Sequence, residues 1–122
     1  MQEADIAEDY TLPAGTILHT MYRIEQILGR GGFAIIYKCV NLSTGETEAV
    51  KEYFPSSLAT RRRRQGFFCV QPFEKNAAEF QTGHRHFLEE ARILKECRDL
   101  PGIVTVYDFF EENQTAYIVM EY

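Results

Sequence analysis

Apolar and polar side chains mostly alternate along Tyr22-Arg23-Ile24-Glu25-Gln26-Ile27-Leu28, the period-two signature of a strand with one buried face. Phe33 to Val40 is β-branched and aromatic and predicts a second strand. Asn41-Leu42-Ser43-Thr44-Gly45 is a turn by composition, and Glu46 to Glu52 predicts a third strand after it. Upstream, Leu12 to Leu18 reads as a turn and a short extra strand. From about Phe80 the period changes: Phe87, Ala91, Leu94 and Cys97 recur at spacings of four, three and three, which makes one apolar stripe on a helix. Glu90 falls inside that stripe, whereas Glu89 and Glu96 fall opposite it. Val104 to Glu111 and Thr115 to Tyr122 predict two further strands joined by Glu111-Glu112-Asn113-Gln114.

Between the third strand and the helix, residues 56–83 form a long insert. Within it, Arg61-Arg62-Arg63-Arg64-Gln65-Gly66-Phe67-Phe68 reads as the turn of a small hairpin leading into Cys69-Val70. Four arginines beside two phenylalanines offer the charge and stacking surface that single-stranded nucleic acids bind. The favoured reading is a solvated, self-repelling loop flanked by an inward-packing strand, because binding faces are usually broader than one short run. A phosphorylated or acidic peptide is a further candidate partner.

Composition narrows the classes. The 122 residues, 45% hydrophobic, suit one domain with a folded core. No apolar run approaches the ~20 residues needed to cross a bilayer, and the N-terminus is acidic where a signal peptide would be basic, so the expected location is cytoplasmic. Residues 1–11, with Glu3, Asp5, Glu8 and Asp9, read as a mobile acidic leader. Cys39, Cys69 and Cys97 are far apart and odd in number, so they suggest neither a disulfide framework nor a metal knot. A net charge of −5 argues against nucleic acid or an anionic membrane as the main partner.

The candidate chemistry sits in Ile27-Leu28-Gly29-Arg30-Gly31-Gly32-Phe33-Ala34-Ile35-Ile36-Tyr37, followed by Glu48-Ala49-Val50-Lys51. Glycines let a backbone approach an anion closely, and a lysine ending the next strand supplies a point charge. A Walker loop would continue Gly-Lys-Ser/Thr and a dinucleotide fingerprint would open a helix. Here a strand follows instead. The stretch resembles the protein-kinase pattern G-x-G-x-x-G-x-V at Gly29, Gly31, Ala34 and Ile36, and V-A-I-K at Glu48 to Lys51. Ala34 stands where the family has its third glycine and Glu48 where it has valine. If position 34 needs positive φ, alanine there costs on the order of 1–2 kcal/mol. Lys51-Glu52-Tyr53-Phe54-Pro55 and Leu12-Pro13-Ala14-Gly15-Thr16 sharpen the resemblance toward bacterial eukaryotic-like serine/threonine kinases.

That resemblance covers residues 12–122 and implies an α+β fold, the kinase N-lobe: a five-stranded antiparallel sheet with one main helix. It implies ATP as ligand. Gly29, Arg30, Gly31, Gly32, Phe33 and Ala34 would cover the triphosphate, and Lys51 would hold its α and β phosphates. Glu90 would pair with Lys51, since a carboxylate on a buried face requires a cation; alternatively it reaches solvent from the stripe edge. The spacing of Glu90 to Leu100-Pro101-Gly102-Ile103-Val104, similar to the turn that follows this helix in kinases, supports pairing. Leu28, Ile36, Ala49, Val104 and Met120 would line the adenine pocket, with the Glu121 carbonyl accepting from the adenine amine. Met120 is the gatekeeper position, or simply core filler.

In kinases the residues that do the chemistry lie in a second lobe beyond the position of Tyr122. His84-Arg85-His86 and Asp108-Phe109-Phe110 imitate two of its motifs, but no carboxylate base, no following asparagine and no glycine complete them. The chain is therefore expected to hold no catalytic base and no metal ligand, with Mg2+ and the protein substrate engaged only in the complete enzyme. Weak ATP affinity and no turnover are expected of residues 1–122 by themselves. The competing expectation is a non-catalytic interaction module, docking on another kinase or on itself through an exposed apolar face that includes Leu94 and Val106.

Overall fold

The computed structural model describes residues 10–122; most of the acidic leader, residues 1–9, lies outside the described residues. The chain forms β1 (Ile17–Leu18), β2 (Tyr22–Arg30), β3 (Ala34–Asn41), β4 (Thr47–Tyr53), β5 (Ala59–Arg64), β6 (Phe67–Pro72), a 3-10 turn (Glu74–Asn76), α1 (Ala77–Glu96), β7 (Val106–Glu112) and β8 (Thr115–Glu121). Six strands make one antiparallel sheet in the order β1-β2-β3-β4-β8-β7, and β5-β6 make a separate two-stranded one. The α+β architecture is thus the expected one, with the two-residue β1 added at the edge beside the five main strands.

The sheet is curled, so that its two ends meet. Tyr22 on β2 donates to Asp108 Oδ2 on β7 at 3.0 Å, and the His19 amide donates to Glu112 Oε1 at 3.1 Å. The rings of His19, Tyr22 and Tyr117 all stack on Phe110.

Alternation along the central strands divides the sheet into two faces. Ile35, Tyr37, Val50, Glu52, Tyr117 and Val119 share one, here called the outer face. Ile36, Ala49, Lys51, Ile118 and Met120 share the other, the inner face. The outer face carries the larger core, into which Leu12, Leu18, Ala59 and Val70 pack. On the inner face a smaller cluster of Ala91, Val106 and Ile118 holds α1 to the sheet.

The insert is a hairpin, as expected, with a solvated tip and an inward-packing Val70, and it departs from the expected solvated run at Arg61. Its turn is Gln65-Gly66, both at positive φ (49° and 86°), the two-residue geometry that matches strand twist. The Asn113-Gln114 turn between β7 and β8 is of the same kind, with φ of 54° and 58°. Arg61 is buried, while Arg62, Arg63 and Arg64 are exposed. The helix starts at Ala77, three residues before the change of period at Phe80, because the exposed first turn carries no apolar stripe to announce it. The expected strand from Val104 begins at Val106, leaving Val104 in the preceding loop, 40% exposed. Gly102 in that loop has φ +80°, a left-handed conformation that glycine tolerates best. Tyr10 and Thr11, read as part of the leader, belong to the body: Thr11 is buried and the Tyr10 ring lies against Phe54. No helix among the described residues is long and apolar enough to cross a membrane.

Candidate nucleotide site

The glycine stretch is the tip of the β2-β3 hairpin. Two register shifts, between Ile24 and Gln26 and between Ile27 and Gly29, take the far half of β2 out of the core, leaving Ile27 and Leu28 largely exposed. The Gly31 amide donates to the Ala34 carbonyl at 2.9 Å, closing the tip. The amides of Phe54 and Ser56 donate to the carbonyls of Phe33 and Gly32 (2.9 and 3.2 Å), so the chain leaving β4 ties the tip down from behind. Ala34 is not among the residues at positive φ, nor are Gly29, Gly31 and Gly32. Alanine at position 34 therefore carries no left-handed penalty. A Cβ added at Gly29 or Gly32 would meet nothing within 4 Å, and one at Gly31 would only touch the Ala34 carbonyl oxygen at 4.0 Å. Neither backbone conformation nor packing among the described residues requires these three glycines.

Lys51 lies on the inner face of β4, between Ile36 of β3 and Ile118 of β8. It is half-buried and, among the described residues, has no ion-pair partner. The expected pair with Glu90 is not formed. Both residues line one cleft of about 420 Å³, together with Phe33, Ala34, Tyr53 and Phe87, and Glu90 is exposed. The spacing of α1 from β4 has an identifiable cause at its N-terminal half. Tyr53, two residues after Lys51 on the same face, donates its hydroxyl to the Phe80 carbonyl at 2.9 Å. Its ring packs on Phe80 and Phe87. A Cβ at Gly83 would come 2.2 Å from the Tyr53 hydroxyl oxygen and 3.0 Å from Cζ, so the helix can seat here only because position 83 has no side chain.

Of the expected adenine-side residues, Ala49 is buried and pairs across the strands with half-buried Met120, which in turn pairs with Val106. Ile36 is half-buried on the same face. Leu28 and Val104 are farther out, at 42% and 40% exposure. Glu121 is at the end of β8, where its carboxylate accepts from the Thr105 amide at 2.9 Å. Val106, expected on an exposed apolar face, is fully buried, and Leu94 is half-buried; Ile93, Leu100, Ile103 and Tyr122 are exposed instead. The motif imitations stay structural. His84 is mostly buried and bonds Glu111 through Nε2 at 3.0 Å, and Asp108 accepts from Tyr22.

Sequence reasoning missed the most completely buried charged group. Glu52, next to Lys51 but on the outer face, has no exposed side-chain surface. Its two carboxylate oxygens accept four hydrogen bonds: from Tyr37 (2.8 Å), Tyr117 (2.6 Å) and both terminal nitrogens of Arg61 (2.6 and 2.8 Å). Arg61 also donates to the carbonyls of Tyr10 and Phe68, and its guanidinium lies over the Phe54 ring. Burial works against the Arg61 charge, but the Glu52 carboxylate more than offsets this and raises its pKa. Burial and then the same carboxylate push the Tyr37 and Tyr117 hydroxyls well above the usual tyrosine value. The signal was present in the alternation: if Lys51 faces the phosphate side, Glu52 faces the core and needs a cation, and the adjoining insert carries four arginines. Glu48, where the kinase pattern has valine, is on the same outer face and buried, with Asn41 Nδ2 donating to it at 3.1 Å. Burial raises its pKa, against the pull of the Asn41 bond.

A glycine hairpin with its lysine on the neighbouring strand, on a curled sheet with one docked helix, is now a geometric fact rather than a pattern. Residues 22–122 match the family described as protein kinase domain. The chain belongs to the protein kinase family. Calcium-dependent protein kinase 8 of Arabidopsis thaliana is 30% identical over 109 residues, covering 89% of this chain and 17% of that protein. Human serine/threonine-protein kinase tousled-like 1 is 30% identical over 106 residues, covering 86% of this chain and 12% of that protein. Among solved structures, the apo form of PpkA-294 matches with a TM-score of 0.85 at 34% identity, over 93% of this chain and 39% of that one. The chain thus corresponds to the N-terminal part of a kinase domain and spans a small share of its curated relatives.

Proposed function

We propose that this kinase N-lobe is the ATP-binding part of a serine/threonine protein kinase, which in the complete enzyme transfers the γ-phosphoryl group of ATP to a protein hydroxyl. The observation that carries the reading is the set of three glycines that no backbone conformation or packing among the described residues requires, on the hairpin next to the strand of a half-buried lysine with no ion-pair partner among the described residues. Open space around the glycines, near an ammonium with no ion-pair partner among the described residues, suits a phosphate chain. Bound there, ATP with Mg2+ supplies the activated phosphoryl group. The chain's own residues would cover the phosphates through Gly29 to Ala34, bind two of them through Lys51, and flank the base with Ile36, Ala49 and Met120. Closing the cleft between Lys51 and Glu90 would orient the lysine. The Leu-Pro-x-Gly-Thr and Lys-Glu-Tyr-Phe-Pro segments support a bacterial-type kinase, working in the cytoplasm where ATP and reduced thiols coexist.

The test is the affinity of the 122-residue chain for a fluorescent ATP analogue, with Lys51→Met as control. Loss of a charge-assisted contact worth about 1.5–3 kcal/mol should weaken binding roughly tenfold or more. Equal binding by both proteins overturns the reading. Neither protein should transfer labelled phosphate to itself or to casein; incorporation that disappears in Lys51→Met would place the catalytic base and metal ligands within these residues.

A second reading rests on the exposed apolar residues Ile93, Leu100, Ile103 and Tyr122, which suit contact with another protein surface. Light scattering at high concentration bears on it: a monomer throughout counts against self-association. A nucleic-acid role is disfavoured, because Arg61 is committed to Glu52 and Arg62 and Arg63 are engaged with Gln71 and the Thr11 carbonyl.

A further inference from the structure

We propose that Arg61, together with Glu52, Tyr37 and Tyr117, positions Lys51 for nucleotide from the opposite face of the sheet. The proposal rests on the nucleotide-binding reading and goes beyond it by assigning a role to a hairpin none of whose strand residues lines the cleft around Lys51.

Tyr37, Glu52 and Tyr117 come from β3, β4 and β8, the three strands whose inner faces carry Ile36, Lys51 and Ile118, and each is the immediate neighbour in sequence of one of those residues. On a strand, neighbouring side chains share one peptide plane but point to opposite faces. Holding Glu52 therefore limits the rotation available to the peptide that carries Lys51. Glu52 is held as fully as a carboxylate can be: four bonds, no exposed side-chain surface, and a two-pronged arginine whose orientation is itself set by the Tyr10 and Phe68 carbonyls.

The charge matters as well. Arg61 neutralises a carboxylate one residue from Lys51. The lysine then offers its charge to a ligand without a buried anion nearby competing for it. The same assembly fastens residues entering the fold, since Leu12 donates its amide to the Tyr37 hydroxyl at 3.1 Å. Arg61 is thus a positioning residue, acting on Lys51 through Glu52.

The experiment measures fluorescent ATP-analogue affinity and thermal midpoint side by side on the full 122-residue chain. Arg61 and Glu52 are replaced together by apolar residues (Arg61→Met with Glu52→Leu), because removing a whole buried pair is tolerated far better than removing one member. We expect a folded protein that binds the analogue at least fivefold more weakly, while Arg64→Met, which removes an exposed arginine of the same strand, binds as the parent does. Should the paired replacement fail to fold, Tyr117→Phe decides: it keeps the ring, removes one bond to Glu52, and should weaken binding twofold to threefold. Parent-like affinity in a folded paired replacement, or in Tyr117→Phe, overturns the proposal and leaves the nucleotide site standing. Equal binding by the parent and Lys51→Met would instead remove the nucleotide reading on which the proposal rests.

Discussion

Lys51 and Glu52 are consecutive residues of one strand, and they have opposite fates. On the outer face Glu52 is sealed under the β5-β6 hairpin, with all its acceptor capacity used and Arg61 paired to it through both prongs. On the inner face Lys51 stands in an open cleft lined also by Phe33 and Ala34 of the glycine hairpin and by Glu90, neither Lys51 nor Glu90 having an ion-pair partner among the described residues. One face has solved its electrostatics internally. The other holds a positive charge that has no ion-pair partner among the described residues, beside open space. A buried ion pair is weak evidence of net stability, because desolvation offsets attraction; here it specifies where the insert sits. A half-buried lysine with no ion-pair partner among the described residues is the feature on which the proposed nucleotide site rests.

The contrast can be broken most severely on its closed side. Arg61→Ala leaves the Glu52 carboxylate buried without a cation, and should cost ~3–5 kcal/mol in denaturant unfolding. Loss under 1 kcal/mol would mean that water already reaches the pair. Next is the seat of the helix. Gly83→Ala drives a Cβ into Tyr53 and should cost about 1–3 kcal/mol, with part of the loss recovered in a Tyr53→Phe background where the hydroxyl is gone. On the open side, Lys51→Met should change stability by no more than about 0.5 kcal/mol while weakening nucleotide binding; a large stability loss would show that Lys51 has a structural partner after all.

The smallest effect concerns Glu48. Its folded-state pKa is raised above the ordinary carboxylate value of 4.5, so the folded form holds a proton that the unfolded form releases. Its contribution is fully present below the unfolded value and is lost as pH rises from there through the raised folded value. Glu48→Gln, neutral at every pH and still able to accept from Asn41, should flatten that part of the stability profile and stabilise the protein slightly at pH 7 relative to pH 4. A stability profile of Glu48→Gln parallel to the parent's over that range would contradict the shift.

Much of the fold was legible because its elements advertise themselves locally. The alternation of β3, the Gln65-Gly66 and Asn113-Gln114 turns, and the apolar stripe of α1 are short-range patterns with short-range causes. The glycine hairpin and Lys51 were legible for a related reason: glycines and a strand-end lysine in that order carry a chemical meaning before any tertiary contact forms. Arg61 was misread with its neighbours as solvated, since four consecutive arginines look alike in sequence. Only the pairing of β5 with β6, and the placing of that hairpin over β4, singles one of them out. Glu90, expected as the partner of Lys51, lines the same cleft without forming an ion pair with it in this structure.

By itself, then, the sequence determined the elements, the turns and the residue types gathered at the glycine hairpin, because these follow from backbone preference and periodicity. The tertiary structure decided which charges meet. Whether an arginine is buried, or a lysine and a glutamate close to within bonding distance, depends on how a hairpin lies on a sheet and how a helix seats on Tyr53 at Gly83, and those contacts join residues far apart in the chain.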